Sequence, residues 1–369
     1  MEGNKDIISI DQMISILILT AISTGILSLP RRLAEIVPFD HWIVLLVAGL
    51  VVLAMVAIYA WIIKLKPGEQ YFDILTDALS KPGAYIAALL YIVYYVGLIG
   101  FVTRIFGEVI KVYLLVKTPI EIINVSILVS CIYLSRKGVE VLGRLSMFIL
   151  PIGSVVTVIL FLLSLTKTNF RNLLPVFQIS PAQVLQGVPA TMLSFLGLEV
   201  ALFFGGNLEK PKESTKILFA VAVVVLFYLA VLVSAFSQFG PIQMKSLVWP
   251  TLDLFDTVDI PGLFIENVQV LVMSTWVMAV FSTIAPLYLA GTITLKSITG
   301  FGDQAALAAF LLTFIYFVSL VPENLAHVYK AADGFTRYFA SIVVVGVPLI
   351  VLISLLVQER LKKGAGEGA

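Results

Sequence analysis

Ten apolar runs dominate the chain, and their length fixes what it can fold into. They fall near residues 12–36, 41–63, 84–115, 119–135, 143–165, 183–206, 214–238, 265–293, 304–321 and 335–357. A helix rises about 1.5 Å per residue, so roughly 20 residues cross the hydrocarbon core of a bilayer. The runs are continuous, whereas a membrane β-barrel needs alternating apolar and polar residues. An all-α integral membrane fold of about ten transmembrane helices follows. The composition, 60% hydrophobic and 13% charged with mean hydropathy +1.04, is one that no water-soluble domain of this length carries on its surface.

Other classes drop out quickly. The net charge is +1 and the basic residues are scattered, so nothing points to a nucleic-acid partner. Cys131 is the sole cysteine and forms no internal disulfide. His41 and His327 are too few and too far apart to suggest a metal centre or cofactor. No nucleophile and base constellation stands out, so an enzyme is not expected. The first apolar run follows a mixed-charge stretch, Glu2 to Asp11, and feeds into further spans. That favours a retained helix over a cleaved signal.

Two spans carry helix-weakening residues at membrane depth. Thr191 to Gly206 reads TMLSFLGLEVALFFGG, with Gly197 and Glu199 near its middle. A charge there costs at least about 2.5 kcal/mol, so Glu199 should face a protein interior or a wet cavity. Glycine beside it weakens the helix, and an unwound segment frees backbone groups to hold a ligand. The first span is interrupted in the same way at Ser23-Thr24-Gly25-Ile26-Leu27-Ser28-Leu29-Pro30. Gly25 and Gly197 lie a little under half the chain apart, the spacing of a repeated five-helix unit. The competing reading is that both glycines merely permit close helix packing.

The remaining polar positions have two readings each. Tyr91 and Tyr95 share a helix face by their i,i+4 spacing, and serve either as hydrogen-bond donors to a ligand carboxylate or as an aromatic packing stripe. Arg104 and Glu108 are also i,i+4 and read as a mutually neutralising structural pair. Ser282 and Thr283 offer two hydroxyls that would complete a small-cation (Na⁺) site with carbonyls near Ala21 and Thr24, or back-bond to their own helix.

Counting Lys and Arg in the connections puts fourteen on the side of the N-terminus and nine on the other, which predicts both termini in the cytoplasm. Leu165 to Gln183, with Pro175 and Pro181, reads as a flexible link between halves. Gln238 to Glu266, with Trp249-Pro250, is expected at the outer interface, where it would cap a cavity. The chain reads as one polytopic domain: a first repeat over about 12–165, a second over about 183–357, and a disordered cytoplasmic tail over 358–369, where small polar residues end the chain.

Several stretches together carry a family resemblance: ISTGILSLPR, KTPIEIINV, SFLGLEVALFFGGNLEKPK and LVWPTLDLFDTVDIPGLFIE. The chain resembles the B subunits of spore germination receptors, within the amino acid/polyamine/organocation superfamily, from about Ile10 to Gln358. The resemblance implies a LeuT-type fold of two inverted five-helix repeats with broken first and sixth helices. It implies an integral subunit that senses a small nutrient such as an amino acid, beside an A-type and a lipoprotein C-type subunit in the inner membrane of a bacterial spore. It assigns Ser23, Thr24, Gly25, Ile26 and Leu27, and Phe195, Leu196, Gly197 and Glu199, to the ligand-binding segments. The chain departs from some members at Gly206-Asn207-Leu208-Glu209, where a proline and an acidic residue often occur. An amino acid permease coupled to H⁺ or Na⁺ is the alternative, though no lysine in the broken helices or the fifth span offers a basic proton carrier.

Overall fold

The computed structural model describes residues 6–256 and 268–366. Among these residues seven spans are individually long and apolar enough to cross a membrane, and a bent pair makes an eighth. The pair is α1 (Ile10–Ala21) and α2 (Gly25–Ile36), which meet at 53°. Two shorter apolar helices, α5 (Ile120–Ser135) and α12 (Gln304–Leu320), bring the spans to ten. The long ones are α3 (His41–Leu65), α4 (Tyr71–Tyr113), α6 (Val139–Ser164), the composite span holding α7 (Pro181–Thr191) and α8 (Val200–Phe204), α9 (Leu218–Met244), α11 (Val268–Thr299), and the last span. That last span joins α13 (Leu325–Gly334) through π-helical turns to α14 (Val347–Gly366). A short helix α10 (Pro250–Asp256) lies between α9 and α11.

Local chemistry sets the helix ends. Ser9 and Gln12 form a reciprocal capping box at the start of α1, as do Ser180 and Gln183 at α7. Asp303 caps α12 and Asn324 caps α13. The third apolar run, expected over 84–115, belongs to a longer element. Ser80, at φ 64°, kinks α4 so that its first two turns lie apart from the span itself.

Two connections differ from their sequence reading. The link from Leu165 to Gln183 is pinned: the Asp40 carboxylate accepts the N–H groups of Phe177, Gln178 and Ile179, at 2.8, 2.5 and 3.2 Å. Asn172 adds a hydrogen bond to the Ser237 carbonyl. The C-terminal region expected to be disordered from 358 is helical through Gly366, and Gln358 donates to the Asp77 carbonyl. Helix α14 carries on because its early turns pack on α3 and α4.

At the other end, residues before α1 tie three elements together. Asp6 accepts the N–H groups of Val139 and Glu140 at 2.7 and 2.6 Å. Ile8 pairs with Asn207 and Glu209 through their backbones. The Asn207 amide donates to the Asp6 carbonyl, so the sequence departure at 206–209 is where the second broken span meets the N-terminal strap.

The interior is centred on α8, whose residues are all buried, and on the second half of α1, buried from Ser15 to Ala21, with α4, α11, α3 and α9 around them. Helix α6 lies at the periphery, with few of its side chains buried. The Arg104 and Glu108 pair forms as expected at 2.9 Å, and the guanidinium also reaches the Ser319 and Glu323 carbonyls near the end of α12.

Candidate functional site

The two interrupted spans break at the residues the sequence marks, and the breaks face one another. Between α1 and α2, Ile22 leaves helical geometry at ψ 82°. The N–H groups of Gly25 and Ile26 then open α2 without a backbone acceptor, as the first turn of any helix does. In the other span, α7 tightens into a 3₁₀ turn over Met192–Phe195, Leu196 is extended, and Gly197 takes φ +108°. That conformation is open to glycine at little cost.

Each glycine also allows a close approach to the opposite break. A Cβ on Gly25 would lie 2.5 Å from the Ser194 Cα, and one on Gly197 would lie 2.6 Å from the Thr20 Cγ2. The packing reading and the unwinding reading of these glycines are therefore both realised. Tyr228 of α9 bridges the breaks, its hydroxyl lying 2.8 Å from the Ala21 carbonyl and 2.6 Å from that of Ser194. Trp276 donates to the Ser23 carbonyl and Thr251 of α10 to that of Ile26. The part of the 238–266 segment that is described thus covers the first break; residues 257–267 lie outside the described residues.

Glu199 is fully buried. Its Oε2 accepts the Gly197 N–H at 2.8 Å, while Oε1 has no hydrogen-bond partner. The Tyr94 hydroxyl of α4 faces the same carboxylate, and the Tyr95 side chain lies within electrostatic range of it. Tyr91 turns elsewhere: its hydroxyl meets that of Tyr71 at 3.2 Å and its ring packs edge-on against Phe203. Of the sequence-marked residues, Ser23 to Leu27, Phe195, Leu196, Gly197, Glu199 and Tyr95 thus gather about the breaks, and Tyr91 sits one step away in an aromatic cluster.

Thr283 lies against the first break as well. Its hydroxyl is 3.1 Å from the Leu19 carbonyl, 2.9 Å from that of Thr20 and 3.2 Å from that of Ala279. Two of these carbonyls belong to the end of α1, just before the Ala21 and Thr24 region expected from the sequence, the Ala21 carbonyl being met by Tyr228, and the third is in Thr283's own helix. Three carbonyls thus surround one hydroxyl, which donates among them in the manner of a buried threonine. Ser282 beside it is buried.

Sequence reasoning missed Tyr94, Tyr228, Trp276, Thr251 and Ser194. Tyr94 stands beside Tyr95 in the sequence, but i,i+4 spacing singles out Tyr91 as the residue that shares a face with Tyr95. Tyr228 stands in the run VVVLFYLAVLVS, where nothing local marks it.

Fold and site together define a multi-pass helical membrane protein of the LeuT type, its first and sixth spans broken around a buried carboxylate. The spore germination protein family matches residues 7–328, and the chain belongs to that family. It is similar to spore germination protein A2 of Bacillus subtilis (strain 168), 28% identical over 353 residues, covering 95% of this chain and 96% of the relative. It is 28% identical over 352 residues to spore germination protein GerLB of Bacillus cereus, covering 92% of each. The fold is shared with MhsT, solved in complex with L-phenylalanine, at TM-score 0.72 and 14% identity over 95% of this chain and 89% of that one. It is shared too with Mhp1, a nucleobase-cation-symport-1 family transporter in a closed conformation with bromovinylhydantoin bound, at TM-score 0.67 and 16% identity over 96% and 80%.

Proposed function

We propose that the chain is the integral membrane subunit of a spore germinant receptor, binding a small nutrient such as an amino acid between the two helix breaks. The observation that carries this reading is the direct apposition of the breaks, Gly25 on Ser194 and Gly197 on Thr20, beside a buried carboxylate. A ligand carboxylate would accept the free N–H groups that open α2, where the helix dipole favours negative charge. Binding would draw the breaks together, and the population shifts only as far as the ligand prefers the closed state over the open one.

The closed state would be passed to A-type and lipoprotein C-type subunits in the inner spore membrane, with both termini in the cytoplasm. Cysteines replacing Lys212 and Lys245 in a Cys131→Ser background test that orientation, since labelling from the same side removes the ten-span topology. The functional test is thermal-shift screening of the purified receptor complex against individual amino acids and other nutrients. Stabilisation by one nutrient, lost in Gly197→Leu protein that still assembles, is the expected result; no response to any nutrient refutes the reading.

A Na⁺- or H⁺-coupled amino acid permease is the second reading, and the oxygen set around Thr283 favours its Na⁺ form. Against it, the Thr283 hydroxyl is already engaged with carbonyls in the common manner of buried threonines. Radiolabelled ligand accumulating in proteoliposomes under a Na⁺ gradient would decide for transport.

A further inference from the structure

Where α3 ends, α9 begins, and the two leave a cavity between them on the outside of the bundle. Ala57, Ala60, Trp61 and Lys64 lie along one face of α3 by their i,i+3 and i,i+4 spacing. Opposite them stand Thr215 and Leu218, where 3₁₀ turns over Pro211–Ile217 lead into α9. These side chains line a cavity of about 470 Å³. Its floor is low because two alanines face it. The Ser214 hydroxyl donates to the Ala60 carbonyl at 2.8 Å, which fixes the 3₁₀ turns against α3 at that level.

Both walls change from apolar to basic in the same direction. On α3, Ala57 leads through Ala60 and the half-exposed Trp61 to Lys64 in the last turn, seven residues and about 10 Å along the axis. On the other wall, 3₁₀ geometry eclipses side chains three residues apart, so Leu218, Thr215 and Lys212 form one row. An exposed tryptophan beside such a row marks the level where headgroups meet hydrocarbon. The other lysines at this end are matched by carboxylates: Lys66 pairs with Glu69 and Asp77, and Lys216 with Glu213. Lys64 and Lys212 have no ion pair among the described residues. Two uncompensated positive charges thus stand at the rim of an apolar trough.

The geometry points to this trough as a binding site for a phospholipid with a net negative headgroup. An acyl chain lies on Ala57, Ala60 and Leu218, and the phosphate sits between the Lys64 and Lys212 ammonium groups, with the Thr215 hydroxyl free to donate to an ester or phosphate oxygen. Basic rims between membrane helices select anionic headgroups in this way, each lysine near the surface adding its own increment. The lipid bridges α3 to the segment that leaves the second broken span, so the connection from α8 to α9 becomes sensitive to membrane composition. The site shares no residue with the helix breaks and does not rest on the nutrient reading.

The experiment adds phosphatidylglycerol, or phosphatidylcholine of the same acyl chains, to the full chain purified in detergent. Native mass spectrometry counts bound lipid, and the thermal midpoint is followed in parallel. The expected result is one retained phosphatidylglycerol, held about twentyfold more tightly than phosphatidylcholine, with a raised midpoint. Lys64→Gln and Lys212→Gln should each lower that preference about fivefold, and their combination should abolish it. Lys81→Gln, at an exposed lysine of α4 outside the cavity, should leave it unchanged. Ala57→Leu fills the trough without altering charge and should weaken phosphatidylglycerol retention. If that variant does not fold, the lysine variants, both at exposed positions, carry the test. Equal retention of the two lipids means annular lipid only and overturns the assignment. So does an undiminished preference in the double lysine variant, or competition by soluble glycerol phosphate as strong as that by the phospholipid.

Discussion

The two helix breaks use the same device and finish it differently. At the first, between Ala21 and Gly25, the freed carbonyls are met by side chains from other helices: Tyr228 at Ala21, Trp276 at Ser23, Thr251 at Ile26 and Thr283 at Thr20. At the second, Gly197 bends the backbone through a left-handed conformation, and the carboxylate two residues on accepts its N–H and faces the Tyr94 hydroxyl of α4. The first break has its carbonyls met by neighbouring helices and keeps the N–H groups of Gly25 and Ile26 open, whereas the second is held within its own turn by its own carboxylate.

That contrast is most easily broken at Gly197. Gly197→Leu should be the most damaging single change, since a left-handed conformation costs a non-glycine residue about 1–2 kcal/mol and overpacking against Thr20 adds roughly 1–3 kcal/mol. Loss of assembled protein, or assembled protein without a nutrient response, is the outcome to measure. Gly25→Ala should cost less, about 1–3 kcal/mol, because only the approach to the Ser194 backbone is obstructed and the φ is ordinary. A thermal midpoint for Gly25→Ala lower than that for Gly197→Ala would reverse the ranking and make the first break the more constrained one.

Tyr228→Phe tests the bridge between the breaks. Removing the hydroxyl takes away a buried donor shared by the Ala21 and Ser194 carbonyls, the first of which keeps the Ser23 N–H, and a loss of about 1–3 kcal/mol is expected in denaturant or thermal unfolding. An unchanged midpoint would mean that the first break is not held from α9. The double change Ser282→Ala, Thr283→Val should cost a further step less, about 0.5–1.5 kcal/mol for the lost hydrogen bonding. Ligand affinity is expected to be indifferent to Na⁺ in both parent and double mutant. Na⁺ dependence present in the parent and absent from the variant would make the first break a cation site.

The smallest effect belongs outside both breaks. Lys66, in the turn between α3 and α4, is held protonated above its usual range by its hydrogen bond to Asp77, with Glu69 assisting. A raised pKa means its contribution is complete at neutral pH and is lost only as pH rises through the folded-state value. Lys66→Met should cost about 0–1 kcal/mol near neutrality, as partly exposed pairs do. A larger loss, or an altered nutrient response, would show that this turn is coupled to the breaks.

Sequence alone determined the class of fold and the places where it is interrupted. Run length against bilayer thickness gives ten spans, and glycine with small or charged neighbours at membrane depth marks 23–27 and 195–199, because these are local costs that a single segment must bear. Tertiary structure decided who answers those costs. Tyr228 and Thr251 are joined to the first break across more than 200 residues of chain, and no local pattern distinguishes a bridging phenol from an aromatic packed in a core. The same limit explains Tyr91 and Tyr94: helical spacing says which residues share a face, but the partner packed on that face decides which hydroxyl looks toward Glu199. It explains the link at Leu165 to Gln183 too, where prolines indicate a turn-rich connection and only the distant Asp40 carboxylate pins its backbone.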